Sequence, residues 1–307
     1  MATSLHNLDS LATALYVTVD DLIKDHPGLA PWRPRIGFKP ALTDAELVTL
    51  AVMQSLLGFT SEHRWIRYAR AHLRCMFPYL PKQPGYNKRL RAATSLMKTL
   101  ARLLAERTST WADDVWVADS TPVECARSRE SARRSDLAGW AQYGYCASHS
   151  RFFWGLRLHL VCTLSGLPVA WALTGAKADE RETLIDLLAA APDLRAARPG
   201  QTIIADRNYY PKHFQTQLRE QGLHLLRPSR KGEAARPGAG LFRPLRQVIE
   251  SINQTFKAQL DLERHNGRTP EGVCARVMQR ILALTAAIWH NDNLGKPVLR
   301  SLTAYDH

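Results

Sequence analysis

Cysteine is scarce in this sequence, and no two cysteines stand at a metal-binding spacing. The five occur among 307 residues, with no CxxC pair and no histidine at ligand spacing: Cys75, Cys125, Cys146, Cys162 and Cys274. This excludes a disulfide framework and argues against a structural zinc site. An odd number of scattered cysteines indicates free thiols in a reducing compartment.

The chain also lacks the signals of export and of membrane insertion. Its N-terminus, Met-Ala-Thr-Ser-Leu-His-Asn, has no basic start followed by an apolar run, so no signal peptide is predicted. No apolar stretch approaches the length needed to span a bilayer. We therefore expect a soluble protein of the cytoplasm with no membrane partner.

Acidic residues are few relative to basic ones. Asp and Glu number 28 against 41 Lys and Arg, which gives a formal net charge of +13. A positive field favours a polyanionic partner, with nucleic acid the first candidate and an acidic membrane surface the second. At 45% hydrophobic and 22% charged residues, the composition is that of a globular protein rather than a disordered one.

Residues 1–110 predict a bundle of helices. Leucine and valine recur at helical spacing from Leu8 to Leu22, and Thr43-Asp-Ala-Glu46 forms a capping box that starts a second helix. Further helices are predicted near 61–75 and 86–106. The last is basic and suggests a helical domain that contacts DNA phosphates, with DNA-binding candidates Lys88, Arg89 and Arg91. An ordinary helical accessory domain remains the alternative.

The pattern changes at Trp111, where short apolar strands begin. A strand at 115–118 is followed by Asp119, and alternating residues at 153–163 and 169–173 predict a hairpin. After a helix, another strand at 202–205 is followed by Asp206. This order predicts an α/β domain over 111–307 with a mixed sheet and helices on its faces.

Three carboxylates are placed to converge in such a fold. If strands 115–118 and 202–205 are parallel neighbours, Asp119 and Asp206 emerge at the same end. Glu250 lies on a predicted helix, on one face with Arg246, Asn253 and Lys257. Carboxylates converge when divalent cations neutralise them, and oxygen ligands suit Mg²⁺ or Mn²⁺. Two such ions would support phosphoryl transfer.

Each of these residues also has a purely structural interpretation. Asp119 precedes Ser-Thr-Pro and suits a turn, while Asp206 suits a helix cap before Pro211. The polar residues around Glu250 are also what the solvent-exposed face of an ordinary helix would carry. Glu124 is an alternative acidic ligand, but its predicted loop position favours a structural role over direct metal binding. His159 is predicted to lie on the polar face of its strand rather than to act as a ligand.

Four stretches together resemble a known family. They are Val117-Ala-Asp-Ser120; Trp154-Gly-Leu-Arg-Leu-His159 with Gly166-Leu-Pro-Val169; Ile204-Ala-Asp-Arg-Asn-Tyr209; and Arg246-x3-Glu250-x6-Lys257. With them, the chain resembles DDE-type insertion-sequence transposases, in particular the insertion-sequence 982 family. The resemblance implies a ribonuclease-H-like mixed sheet flanked by helices and preceded by an all-α domain.

The resemblance also implies an activity and a site. The protein would bind double-stranded DNA at its element's ends, hydrolyse a phosphodiester and transfer the strand, using Asp119, Asp206 and Glu250 with two Mg²⁺ or Mn²⁺ ions. It would act as at least a dimer on DNA, in the bacterial nucleoid. DNA contacts are expected at Arg207, Arg243, Arg246 and Lys257.

Two positions depart from the family pattern, and two other functions stay open. Arg243 stands where related transposases have tyrosine, and Asn208 stands where they have glycine. The same fold would also suit a structure-selective nuclease, and a non-catalytic DNA-binding protein derived from a transposase would keep the basic surface without metal.

Overall fold

The computed structural model of the chain describes residues 2–34, 36–146, 150–234, 242–297 and 302, without the side chains of 2–6, 243, 245 and 246. The chain forms two compact units, one of residues 1–107 with 255–307 and one of residues 108–254. The first break lies close to the predicted boundary at 110. The segment 255–307, which the sequence placed with the sheet, groups with the N-terminal helices.

The first unit is helical. Its N-terminal helices are α1 (Ala2–Asp25), α2 (Asp44–Leu56), α3 (Glu62–His72), α4 (Gln83–Ala92) and α5 (Thr94–Glu106). The capping box of α2 is confirmed, because the Glu46 N–H donates to Thr43 Oγ1 at 3.1 Å and the Thr43 N–H donates to Glu46 Oε2 at 2.6 Å. Leu42 and Leu47, which flank it, are both fully buried.

The single helix predicted over 86–106 is wrong, since α4 and α5 are separate helices. Ala93 joins them with a ψ of 3°, outside the helical range. At the start of α5 the Thr94 hydroxyl donates to the Arg91 carbonyl at 2.8 Å. This side-chain bond competes with the backbone ladder, which helps to end one helix there.

The second unit contains the sheet and its helices. In chain order its elements are β1 (Val115–Ala126), α6 (Arg129–Arg133), β2 (Gln142–Cys146), β3 (Arg151–Thr163), β4 (Pro168–Gly175), α7 (Glu180–Ala189), α8 (Pro192–Ala196), β5 (Thr202–Ile204), α9 (Lys212–Glu220), β6 (His224–Leu226) and α10 (Phe242–Gln254).

The sheet is mixed, as the sequence predicts. Its order is β2-β3-β1-β5-β6, and β4 also pairs with β3. β1 pairs antiparallel with β3 but parallel with β5, and β5 pairs parallel with β6. Helix α7 packs against β3 and β4, α9 packs against β6, and α10 packs against β1. This curled sheet with flanking helices is a ribonuclease-H-like arrangement.

The core of this unit lies between the sheet and helices α7 and α9. Trp116 of β1 and Ile203 of β5 pack there with residues of both helices, including Leu184, Leu188 and Phe214. All are buried. Trp116 and Ile203 each lie three residues before an aspartate, Asp119 and Asp206 respectively, so the core fixes the strands from which both aspartates emerge.

Two predictions about this unit are wrong. The first strand does not end at Ala118, because β1 continues to Ala126. The basic stretch after it, with Arg127, Arg129, Arg133 and Arg134, is predicted from its polar composition to be a loop, but the segment contains the short helix α6 and then the strand β2. Tyr143 and Tyr145 give β2 its alternation, with Gly144 between them.

Helix α11 (Pro270–Asn293) returns to the helical unit, where it packs against α1, α2, α4 and α5. By length and composition alone it is long and apolar enough to cross a membrane, contrary to the expectation that no apolar stretch approaches that length. In the structure 89% of its most apolar window is buried inside the protein. Such burial is typical of a core helix of a soluble protein.

Candidate active site

Asp119 and Asp206 emerge from neighbouring parallel strands, as the sequence predicts. The parallel pairing of β1 with β5 ends at Val117 opposite Ile204. Each aspartate lies two residues beyond its member of that last pair. Asp119 is not at the end of its strand, however, because β1 continues along β3 with Asp119 opposite Leu160. The two aspartates therefore lie just beyond the same end of the parallel pairing between β1 and β5.

Asp119 carries a carboxyl group whose surroundings disfavour its charge. Its pKa is raised to about 6, chiefly by burial and also by the nearby carboxylates of Glu180 and Asp206, against the lowering effect of hydrogen bonds from the Ser120 backbone and the Asn253 amide. Asn253 Nδ2 donates to Asp119 Oδ2 at 2.6 Å. Among the main influences on Asp119, the two charged groups are the carboxylates of Glu180 and Asp206.

Asp206 is exposed and is held by the residue two positions later. The backbone N–H of Asn208 donates to Asp206 Oδ1, and its side-chain Nδ2 donates to Asp206 Oδ2 at 3.1 Å. This is the Asx-turn geometry that short polar residues favour after a strand. Asn208, which replaces the glycine of related sequences, thus supplies a side-chain donor that glycine lacks.

Glu250 lies on α10, the helix that packs against β1. Its side chain is exposed, and Asn253, one turn later on the same face, makes the direct contact with Asp119. Over the residues that the structure describes, no three His, Cys, Asp or Glu side chains are close enough to hold a metal ion. The structure thus places Asp119 near Asp206 and holds α10, the helix that carries Glu250, beside them. It does not bring the three predicted carboxylates close enough together to hold one metal ion.

Sequence reasoning missed a polar network behind Asp119. Glu180, the first residue of α7, accepts hydrogen bonds at its Oε1 from Ser120 Oγ at 2.6 Å and from Arg157 Nη1 at 2.5 Å. Arg157 Nη1 also donates to Ser120 Oγ at 3.0 Å. The Asp179 cap of α7 was recognisable in the sequence, but the meeting of α7 with β1 and β3 was not.

Tyr209 and His159 complete this buried polar region. Burial raises the pKa of Tyr209 well above its ordinary value, and the carboxylates of Glu180, Asp119 and Asp206 add to the effect. His159 is buried rather than on an open polar face, and its Nε2 lies 2.9 Å from Thr174 Oγ1. Burial lowers the pKa of His159 to about 4, so the ring is neutral at pH 7.

The family follows from a comparison with known protein domains. The model of the transposase DDE domain matches residues 110–286, which is more than half of the chain. This protein belongs to the transposase DDE domain family. No curated protein and no solved structure is significantly similar to it.

The match covers all three carboxylates of the predicted triad. A transposase DDE domain implies DNA partners and a nuclease or transposase reaction, and the family generally depends on divalent metal ions. The donors present in this chain fit such ions, because Asp119, Asp206 and Glu250 offer hard oxygen atoms. The pKa of Asp119, raised to about 6 by burial and by neighbouring carboxylates, also fits a site that a cation neutralises.

The rival ligand Glu124 lies farther along β1 and has arginine partners. Arg127 Nε is 3.6 Å from its Oε1, and Arg151 Nη1 is 3.4 Å from its Oε2. Two guanidinium groups around one carboxylate give a structural ion-pair site. This supports the structural interpretation of Glu124.

The predicted DNA-contacting residues differ in their surroundings. Arg89 donates to Asp44 at 2.8 Å, so its guanidinium is engaged within the helical unit, whereas Lys88 is exposed and Arg91 half-buried. Arg207 is exposed beside Asp206. The side chains of Arg243 and Arg246 lie outside the described residues.

Lys257 lies beyond the end of α10. The regular α-helix ends at Gln254, and Lys257 falls in the π-helical segment Thr255–Gln259. The shared face predicted for Glu250 and Lys257 assumed unbroken α-helical geometry. That assumption is wrong, because a π-helical turn changes the angular position of the residues that follow.

Proposed function

We propose that this chain is a DNA transposase of the insertion-sequence type, resembling the insertion-sequence 982 family. It binds the ends of its own element and cleaves and joins DNA strands through Asp119, Asp206 and Glu250. One observation carries the proposal furthest: within a transposase DDE domain, Asp119 and Asp206 emerge from paired parallel strands, close enough that the Asp206 carboxylate contributes to the raised pKa of Asp119.

The three carboxylates would hold two Mg²⁺ or Mn²⁺ ions. When bound, such ions activate the attacking oxygen and stabilise the leaving oxygen in phosphoryl transfer. Asn253 fixes the rotamer of Asp119 through its 2.6 Å hydrogen bond, and Asn208 fixes that of Asp206. Glu250 joins them from α10, the helix that Asn253 attaches to β1.

In the proposed reaction, water attacks the phosphodiester at the element's end and releases a 3′-hydroxyl group. That hydroxyl then attacks a phosphodiester of the target DNA, so the number of such bonds is conserved in the transfer. No covalent protein–DNA intermediate is involved. Exposed cations such as Lys88 and Arg207 would contact phosphates, which gives binding that weakens as salt rises.

The test is cleavage of labelled DNA that carries the gene's own flanking sequences, with Mg²⁺, with Mn²⁺ and with chelator. We expect metal-dependent nicking at the element boundary that Asp119→Asn, Asp206→Asn or Glu250→Gln abolishes while DNA binding stays nearly unchanged. Asp186→Asn is the matched control, because it removes the same charge from an exposed position of the sheet unit.

Two results would contradict the proposal. Nicking of branched DNA regardless of end sequence, with no joined product, would assign a structure-selective nuclease. Tight binding to the ends without nicking under any metal would assign a DNA-binding protein derived from a transposase. Full cleavage by one of the three variants would remove that residue from the ligand set.

A further inference from the structure

Three aromatic side chains are exposed together on the hairpin of β2 and β3. They are Tyr143, Tyr145 and Phe152, with 49%, 47% and 78% of their surface accessible, and together they are called the aromatic patch here. Tyr145 is paired directly with Phe152, and Tyr143 with Trp154. Paired residues and residues two apart share a face of a sheet, so the three lie on the same side. The ring centres of Tyr145 and Phe152 are 5.0 Å apart.

The other face of the same hairpin is packed. Phe153, Cys146 and Ala176 form a small buried cluster there. A Cβ added to Gly144 would lie 2.8 Å from the Ala176 Cβ, so Gly144 permits this close approach. Over its described residues, the hairpin therefore buries one face and exposes three aromatic side chains on the other, at the edge of the sheet.

Arg157 connects the aromatic patch to the candidate active site. Its Nη2 donates to the Tyr145 carbonyl at 3.3 Å, and its Nη1 donates to Ser120, the residue after Asp119. Along β1, the position that pairs with Trp154 is Ala126, seven residues beyond Asp119. At ~3.3 Å per residue this is ~23 Å, or about seven base-pair steps of DNA.

The charge around the hairpin is complementary to a phosphate backbone. Arg127, just after β1, and Arg151 of β3 contact the Glu124 carboxylate at 3.6 and 3.4 Å, and Arg151 pairs with Cys146, on the face opposite Phe152. Three further arginines follow in the segment before β2: Arg129, Arg133 and Arg134. The whole chain carries +13.

We propose that the aromatic patch stacks unpaired bases of the DNA strand within about seven nucleotides of the cleavage site. This rests on the proposed DNA transposase function. Bases offer their flat faces only when unpaired, and stacking on exposed aromatic rings beside cationic groups is how proteins bind single strands without reading sequence. The exposed large hydrophobic side chains on the described part of this hairpin are all aromatic rings, which favours bases over a protein partner.

The experiment compares two DNA probes bound by the full-length chain. One is a duplex of the gene's flanking sequence. The other is the same duplex with a three-nucleotide mismatched bubble, containing 2-aminopurine, placed about seven nucleotides from the element boundary. The variant is Tyr145→Ala with Phe152→Ala. The control is Tyr79→Ala, which removes a tyrosine of similar exposure, 51%, from the helical unit.

We expect the wild type to prefer the bubble and to quench 2-aminopurine fluorescence. The double variant should lose at least about tenfold in bubble affinity, since stacking accounts for roughly that factor or more per base. Its duplex affinity should stay within about twofold of the wild type. Tyr145→Phe, which keeps the ring, should retain the preference and guards against a folding defect.

Equal bubble affinity in the wild type and the double variant would overturn the aromatic patch as a stacking surface while leaving the transposase proposal intact. Conversion of a wild-type dimer to a monomer by the double variant, with bubble binding unchanged, would instead assign the patch to self-association. Failure of the wild type to bind either probe would overturn both proposals.

Discussion

The amide of Asn253 is the most informative single group to remove. Its Nδ2 donates to Asp119 Oδ2 at 2.6 Å, between α10 and β1. A hydrogen bond to a charged group contributes about 1.5–3 kcal/mol. Asn253→Ala removes it, but alanine is also the better helix former by up to ~0.7 kcal/mol. The net loss should therefore be about 1–2 kcal/mol.

That loss should appear as local opening of α10 rather than global unfolding. Since ~1.4 kcal/mol corresponds to a tenfold change in an equilibrium constant, the amides of α10 should exchange about 5- to 30-fold faster with deuterium. Hydrogen exchange read by mass spectrometry on peptides of residues 242–254 measures it. Gln254→Ala is the matched control, because Gln254 is the neighbouring exposed position of the same helix.

The result that would refute the reasoning is unchanged exchange in α10 for Asn253→Ala. It would mean that the bond to Asp119 contributes nothing to docking of the helix and that Glu250 is positioned by other contacts. Faster exchange in both Asn253→Ala and Gln254→Ala would point to helix fraying and would equally remove the argument.

Two further predictions concern the sheet. The pKa of His159 is lowered to about 4 by burial, below its unfolded value of 6.5, so the sheet unit should keep full stability above pH 6.5 and lose about 3 kcal/mol as pH falls to 4. His159→Asn should flatten this dependence in urea unfolding, whereas His224→Asn, at an exposed position, should keep it. Gly155→Ala should prevent stable folding, because its Cβ would lie 2.1 Å from the Val123 carbonyl oxygen; a soluble variant with wild-type thermal stability would contradict this.

The placement of the two aspartates was predictable because it depends on local signals. Short apolar runs predict buried strands, and parallel neighbours bring their ends to one edge. The length of β1 was not predictable, because Pro122 argues against a central strand. The structure accommodates Pro122 because the pairing of β1 with β5 ends at Val117. Beyond that residue, among the described strands, β1 pairs with β3 alone, so one side of Pro122 needs no ladder hydrogen bond.

The partners of the aspartates were beyond sequence reasoning for a different reason. Asn253 was placed on the correct helix face, but which strand that face meets depends on packing between elements far apart in the chain. The same holds for Glu180, which lies next to a recognisable helix cap and meets Arg157 and Ser120 only in the folded sheet.

The choice of donors around the carboxylates has a physical consequence. Asp119 and Asp206 receive hydrogen bonds from the amides of Asn253 and Asn208, which fix their orientation without cancelling their charge. The nearby guanidinium of Arg157 donates instead to Glu180 and Ser120. An arginine paired directly with Asp119 would lower its pKa and compete with a cation for the same oxygen atoms. At Asp119 the side-chain donor is the neutral amide of Asn253, while Arg157 pairs with Glu180, so this carboxylate keeps oxygen atoms and charge that a divalent ion could use.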